Sequence, residues 1–409
     1  MPNNPHRARR TPLLPLALAF AAANLVAGLV YPLIPVVLTE RGGLTPREFG
    51  LFFALASIAG GTAFPLWGLV ADGRLGRPRT LAIALGLLGS LGAVAFVGPI
   101  ALVPLAIFCF LIAESALAPV LDALALDALH GRTALYGRLR SAGSGGYALA
   151  AIGASPLILL GGEIAHAIAI AAAALIGLVA ALRLPRRRIE PASRPHLRDL
   201  VALPRRAPVF GRFLLIALLA ALPLAAFLTW FGPLLRLHGF EPGLAAAAAG
   251  GTALFEIPAL LLASRLGERY GWRSLLIAGA ALYAVPLALV ALPLGLPLPL
   301  LLAARISSGI PFALLMTGAV VMVRELAPKE LVATGQGLLQ LVVFGGAPAI
   351  ASLIGGFFWA EVGALSLIVL AAAGPVAALW AWRCLPARSR IHHTANDRGV
   401  EPAVFEPPA

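Results

Sequence analysis

Charged residues are scarce in this sequence, making up 12% of its 409 residues, whereas about 25% is typical of soluble domains. Stretches without any charge are long: Thr80 to Ala113, Ser274 to Ala304 and Leu331 to Ala360 span 34, 31 and 30 residues. Since a helix needs about 20 apolar residues to cross a bilayer, each stretch accommodates at least one membrane span. The composition excludes a sizeable soluble core and indicates a polytopic membrane protein.

Cysteine is also rare. The two cysteines, Cys109 and Cys384, are far apart in the chain, so neither a disulfide framework nor a metal cluster is indicated. The sequence contains no phosphate-binding loop, ATP-binding motif or nucleophile–base set. We therefore expect neither an enzyme nor a sensor, and we expect no metal and no cofactor.

The apolar runs divide the chain into twelve predicted spans, which makes it an all-α membrane protein. Span boundaries of this kind are uncertain by two to four residues. The spans cover residues 13–38, 48–71, 80–98, 101–127, 136–160, 164–182, 213–235, 243–264, 274–292, 299–323, 332–356 and 362–382. A cleaved signal peptide is the alternative for the first run, but Leu13 to Leu38 is too long for one and is interrupted by Asn24, Pro32 and Pro35.

The basic residues fix the predicted orientation. The net charge of +13 would suggest a nucleic-acid partner in a soluble protein. With the N-terminus inside, only Arg41, Arg47 and Arg236 fall on the outer side, and Arg140 and Arg305 lie within spans; removing these five from the 31 Lys and Arg leaves 26 inside. This bias predicts an inner-membrane protein with both termini cytoplasmic. We expect contact with membrane lipids, no nucleic acid and a monomer.

Two halves of six spans are predicted to be related. Gly43-Leu44-Thr45-Pro46 recurs as Gly239-Phe240-Glu241-Pro242 at an offset of 196 residues, and Leu75-Gly76 recurs as Tyr270-Gly271 at 195. The predicted organisation is two pseudo-symmetric bundles joined by a linker without an amphipathic period. Its parts are a cytoplasmic tail (1–12), the first bundle (13–182), a cytoplasmic linker (183–212), the second bundle (213–384) and a disordered cytoplasmic tail (385–409).

The loop after the second span carries a motif built from Gly68, Asp72, Arg74, Gly76 and Arg77. It resembles the signature loop of the major facilitator superfamily, with one extra residue between the acidic residue and the next glycine. Parallel six-span repeats are also typical of that superfamily. The resemblance covers about residues 13–384 and implies its fold, with Asp72 and the arginines latching an inner gate. An ordinary basic turn is the alternative.

Asp122 and Arg140 are predicted to lie on consecutive antiparallel spans, at matching depths of roughly 10–12 Å from the turn between them. A buried charge without a partner is costly, so a pair at these positions is a functional-site hypothesis. The eighteen-residue spacing and the flanking Pro119 and Gly143 resemble the lactose permease and phenylpropionate permease branch. That resemblance implies a substrate site. An ion pair that only locks two helices together is the alternative.

Five other polar residues fall within predicted spans. Glu114 and Glu256 are candidates for carrying a proton, because a carboxyl removed from water favours its neutral form. Glu114 could equally be a neutral acid bonded to a neighbouring helix, and Glu256 could simply pair with Arg305. Arg305, Asn24 and Gln340 complete the candidate substrate site with Asp122 and Arg140, although Asn24 and Gln340 more often bond helix to helix.

The function predicted from these features is secondary active transport by alternating access. The solute is expected to be small and polar or anionic, and uptake is expected to use the proton gradient as its energy source. Residues Ile306 and Gly309 stand where lactose permease has its proton-handling side chains, so that machinery is not carried over. Proton-driven efflux of a sugar or drug is the alternative, although Gly153-Ala154-Ser155-Pro156 breaks the antiporter signature.

Overall fold

The computed structural model describes residues 13–72, 75–129, 133–185, 197–241, 243–328 and 331–386, and these form helices with no strand among them. The helices of the first half are α1 Leu13–Val30, α2 Pro46–Asp72, α3 Arg77–Val97, α4 Val103–Glu114, α5 Leu117–Leu129 and α6 Thr133–Leu182. Those that follow are α7 Leu197–Arg206, α8 Pro208–Leu237, α9 Leu244–Tyr270, α10 Trp272–Ala291, α11 Leu298–Ser307, α12 Gly309–Leu326, α13 Val332–Gln340, α14 Ala347–Val362 and α15 Ser366–Cys384. The chain is thus an all-helical membrane protein, as the sequence predicts.

Ten segments of the described residues are long and apolar enough to cross a membrane. Two of them, Ala142–Leu182 and Thr334–Cys384, contain 41 and 51 residues, at least twice the ~20 that a bilayer requires. Each includes a glycine with positive φ, Gly162 at 71° and Gly363 at 55°, where other residues would be strained. Dividing both segments at these glycines yields twelve apolar segments, the number predicted.

Two membrane-spanning segments are interrupted in the same way. α4 ends at Glu114 and α5 begins at Leu117, while α11 ends at Ser307 and α12 begins at Gly309. Pro119 and Pro311 each stand four residues after a serine, Ser115 and Ser307. Proline lacks the N–H that would continue the helical ladder to the fourth residue before it. One break therefore falls in each half.

The halves meet through glycine-lined helix pairs. α2 packs against α14, and α9 packs against α6. A Cβ on Gly61 would lie 3.1 Å from the Cα of Gly345, and one on Gly356 would lie 2.8 Å from the Cα of Gly50. Small residues permit this close approach of helix backbones inside a membrane. The central space between the halves is closed on two sides by these contacts.

The predicted linker contains more structure than expected. α7 forms within it and packs against α8 and α13, with Leu203 fully buried. α8 then begins at Pro208, before the predicted start of the second bundle. The expectation of a linker without an amphipathic helix is therefore wrong. The predicted N-terminal tail, the linker residues 186–196 and the C-terminal tail beyond residue 386 lie outside the described residues.

Candidate functional site

Interrupted helices carry three of the predicted polar residues. Glu114 is the last residue of α4, Arg305 lies in the last turn of α11, and Gln340 is the last residue of α13, directly before a π-helical turn over Leu341–Gly346. Helix interruptions inside membrane transporters expose backbone polar groups and commonly mark binding sites. The interruptions therefore identify where polar chemistry meets the space between the halves.

Arg305 is fixed by contacts with two neighbouring helices and with the break that follows α11. Its side chain is only 4% exposed, and its Nη1 donates to Oγ1 of Thr252 at 3.0 Å and to Oγ of Ser308 at 2.9 Å. The guanidinium carbon also lies 5.4 Å and 6.0 Å from the ring centroids of Phe227 and Phe231, within cation–π range. Among the described residues, the hydrogen bonds of this guanidinium leave only from Nη1.

Tyr147 connects the charged residues of the two halves. Its phenol is close enough to interact electrostatically with Arg305, Glu114 and Glu256. Tyr31, in the 3₁₀ turn that follows α1, interacts in the same way with Glu114 and Tyr147. Tyr147 is thus a candidate site residue that the sequence did not single out.

The position of Tyr147 is set by its backbone. A Cβ on Gly28 of α1 would lie only 2.5 Å from the carbonyl oxygen of Tyr147, so α1 and α6 are in direct backbone contact here. The backbone of Tyr147 is therefore held against α1.

Glu256 belongs to the same cluster as Arg305. It stands four residues after Thr252 on α9, hence on the same helix face, and α12 packs closely against it. A Cβ on Gly309 would lie 3.1 Å from the backbone nitrogen of Glu256. Tyr283, fully buried on α10, interacts electrostatically with both Arg305 and Glu256.

Asn24 contacts its own helix and a neighbouring one. Its Nδ2 donates to the carbonyl oxygen of Phe20 at 2.9 Å, and a Cβ on Gly143 would lie 2.7 Å from that nitrogen. This hydrogen bond lies within α1, so both the ligand role of Asn24 and the alternative of a bond from helix to helix stay predictions. Gln340 is half-buried, and its role as a ligand stays a prediction.

The proposed pair of Asp122 and Arg140 is only partly described. Asp122 is half-buried on α5, and the backbone of Arg140 belongs to α6, but the Arg140 side chain lies outside the described residues. Nη1 of Arg77 donates to the carbonyl oxygen of Ala123 at 3.4 Å. Asp122 therefore lies towards the signature loop, and its pairing with Arg140 stays a prediction.

The signature loop is described at its edges. Gly68 lies in the last turns of α2, and Gly76, with φ of 75°, directly precedes α3, which Arg77 begins. The side chain of Asp72 and the whole of Arg74 lie outside the described residues. Trp67, beside this loop, donates from Nε1 to the carbonyl oxygen of Ile112 at 2.8 Å. Its contact holds α2 against α4.

Contacts between the halves cluster at the end of the molecule where α8 ends and α9 begins. Ser155 Oγ donates to the carbonyl oxygen of Gly243 at 2.6 Å. Phe49 meets Trp230 edge-on with ring centroids 5.2 Å apart. This end is closed between the halves.

Comparison with known proteins now identifies the family. Residues 18–369 match the model of the MFS_1 like family. The chain is also 31% identical over 357 residues to the maltose permease of Geobacillus stearothermophilus, covering 83% of this chain and 86% of that protein. These matches confirm the resemblance to the major facilitator superfamily and show a transporter rather than an enzyme.

Solved structures share the fold. A mutant of the nucleoside transporter NupG superposes with a TM-score of 0.76 at 16% identity, covering 91% of this chain and 99% of that one. A POT family transporter bound to a conjugated peptide gives 0.73 at 13% identity, covering 90% and 94%. An occupied, inward-facing bacterial homologue of the lysosomal transporter Spinster gives 0.70 at 14%, covering 95% and 98%.

Proposed function

The chain belongs to the MFS_1-like family, and from this premise we propose that it is a proton-coupled uptake transporter for a neutral, polyhydroxylated solute of the sugar class. The observation that carries the proposal is the position of the Arg305–Thr252 bond beside the contact between the halves, where a Cβ on Gly250 of α9 would lie 2.9 Å from the carbonyl oxygen of Ala148, next to Tyr147. Solute bound there contacts both halves at once. It can therefore bias their relative movement.

The chemistry of the cluster suits a sugar. Hydroxyl groups both donate and accept hydrogen bonds, and the cluster supplies a guanidinium that only donates, carboxylates that accept and tyrosines that do both. The rings of Phe227 and Phe231 add apolar faces beside Arg305. The relative named a maltose permease supports the same solute class.

Proton coupling is assigned to Glu114 or Glu256. Glu114 stands at a helix interruption with Tyr31 and Tyr147 as electrostatic neighbours, whereas Glu256 shares its surroundings with Arg305 and Tyr283. Glu256 stands one helical turn from Thr252, which hydrogen-bonds Arg305, so we assign it to the Arg305 cluster and assign proton transfer to Glu114.

The test is uptake of radiolabelled maltose by purified protein in proteoliposomes with an imposed pH gradient, acid outside. We expect maltose to accumulate above its external concentration, and a protonophore to abolish this accumulation. Competition by other sugars should show which of them binds most tightly. Facilitated flux without accumulation would contradict coupling, and failure of every sugar to bind or compete would contradict the solute class. Net export against the gradient would instead support the efflux alternative.

A further inference from the structure

Glu40 and Arg236 stand at equivalent positions of the two repeats. Arg236 lies 196 residues after Glu40, the same offset that relates Gly43–Pro46 to Gly239–Pro242. The two side chains form an ion pair with each other, from Nη2 of Arg236 to Oε1 of Glu40. Two symmetry-equivalent positions can touch only at the axis that relates them. This ion pair therefore crosses the centre of the mouth between the halves.

Glu40 is held in place by its neighbour. Arg41 donates from Nη2 to the carbonyl oxygen of Gly98 at 2.7 Å and contacts the carbonyl oxygen of Phe96 and the carboxylate of Glu163 through Nη1. All these partners belong to the first half and lie beside the end of α3 and the turn in α6. These two consecutive residues therefore contact different halves. Arg41 bonds to its own half, and Glu40 pairs with the second half.

The second half has no such anchor among its described residues. The residue equivalent to Arg41 is Leu237, which is largely exposed. The Arg236 side chain is accordingly 64% exposed, whereas that of Glu40 is 35% exposed. The pair therefore consists of a fixed carboxylate and a guanidinium carried by the end of α8.

Packing contacts flank the ion pair on the same end. Ser155 bonds to the backbone of Gly243, and Phe49 packs against Trp230, whose Nε1 donates to the carbonyl oxygen of Ala351 at 3.1 Å. These contacts close the sides of the mouth, and the ion pair closes its centre. The charge distribution predicts that this end faces away from the cytoplasm.

We propose that Glu40 and Arg236 form a latch across the solute path at this end, with Arg41 as the positioning residue of its fixed side. The proposal rests on the alternating-access part of the proposed function and is independent of the solute and of proton coupling. Opening of this end breaks the pair, and closing reforms it. Both side chains are partly exposed, so their ion pair contributes only a small free energy. The latch can therefore shift the balance between closed and open states without fixing the protein in either one.

Distance measurement tests the latch without substrate. Spin labels placed on exposed Leu160 and Glu241, one in each half, report the opening of this end by double electron–electron resonance, in a background with Cys109 and Cys384 replaced by serine. We expect Glu40→Gln and Arg236→Gln each to raise the ratio of open to closed molecules about two- to five-fold, the range for an exposed ion pair. The double variant E40R/R236E, which exchanges charges between equivalent positions, should return the ratio to its original value.

The matched control is Glu48→Gln. Glu48 is a carboxylate at the same end whose Oε2 accepts a hydrogen bond from Thr45 of its own half at 2.8 Å, so it should leave the ratio unchanged. Distances that do not shift in either single variant, or a charge exchange that behaves like the singles, would overturn the latch. Absence of sugar uptake by the unmodified protein, together with distances that shift as expected in the single variants, would count against the proposed function and leave the latch standing.

Discussion

Arg305 and Thr252 bond to each other through two separate groups. The guanidinium donates to the Thr252 hydroxyl at 3.0 Å, and that hydroxyl lies 3.0 Å from the carbonyl oxygen of Arg305, to which it can donate. The second contact is available because α11 is ending, so its last carbonyls are free to accept from outside the helix. The interruption of the span and the fixed position of its arginine therefore have one cause.

Replacing Arg305 with lysine should reduce sugar uptake about 10- to 100-fold, since a hydrogen bond to a charged group contributes ~1.5–3 kcal/mol. Lysine keeps the charge but cannot bond Thr252 and Ser308 while presenting a second edge to the solute. Initial uptake rates, with expression and thermal stability as checks on folding, measure the effect. Arg324→Lys, an exposed arginine near the end of α12, is the control; equal losses in both variants would contradict a binding role for Arg305.

Glu114→Gln should abolish accumulation of solute while leaving exchange of internal for external solute intact. The amide cannot release a proton, yet exchange requires no change in protonation. Glu256→Gln should instead weaken solute binding, because it alters the surroundings of Arg305. Counterflow and gradient-driven uptake, measured in the same proteoliposomes, separate the two steps. Should both variants still concentrate solute, the proton site lies elsewhere.

Hydropathy predicted the spans well because bilayer thickness fixes the length of a helix that crosses it. The sequence also indicated the helix breaks, since Pro119 and Pro311 follow their breaks by the same distance, but Pro119 was interpreted only as part of a family motif. α7 was missed although Leu197, Leu200, Val201 and Pro204 follow a helical period. The prolines and arginines around it obscured that period.

The site was harder to predict than the fold. Charges within spans are rare and therefore conspicuous, which is how Glu114, Glu256 and Arg305 were found. Tyr147, Thr252 and Phe227 carry no charge and are ordinary residues of membrane helices, so nothing in their local sequence distinguishes them. Their importance comes from the packing of one half against the other. Local sequence does not encode that contact.

Gly356→Ala should prevent the halves from closing fully where α2 meets α14. The added methyl group would lie 2.8 Å from the Cα of Gly50 and from the carbonyl oxygen of Pro46, both backbone atoms that cannot turn aside. Overpacking of this kind costs about 1–3 kcal/mol. The distances between spin labels at Leu160 and Glu241 should therefore shift towards the values of the open state. Gly145→Ala is the control, because nothing lies within 4 Å of its Cβ position. Unchanged distances in Gly356→Ala would show that the added methyl group fits between α2 and α14 without separating them.

Asp72→Asn should slow the conformational cycle while equilibrium binding of solute survives. The signature loop is expected to stabilise one state through the charge of Asp72, and asparagine retains the shape without the charge. Binding to detergent-solubilised protein, compared with the rate of counterflow, distinguishes the two effects. A variant that loses binding together with transport would show that Asp72 supports the fold or the site rather than a gate.

Asp122 and Arg140 are expected to form a functional pair, and a charge exchange decides between function and simple locking of helices. Arg140→Lys should lose most uptake while the protein still folds, because the charge survives but the planar fork of donors does not.

Asp122→Asn should act similarly, since it leaves one charge without its expected partner, an arrangement that is costly within a membrane. The double variant D122R/R140D restores an ion pair in the reverse order. If the pair serves only to hold α5 against α6, this exchange should recover both stability and uptake. If the pair contacts solute, stability should recover and uptake should not, because the solute meets a carboxylate where it requires a guanidinium. Thermal stability and maltose uptake, measured for both single variants and the exchange, give the answer, and near-normal uptake in the double variant would leave the pair with a structural role alone.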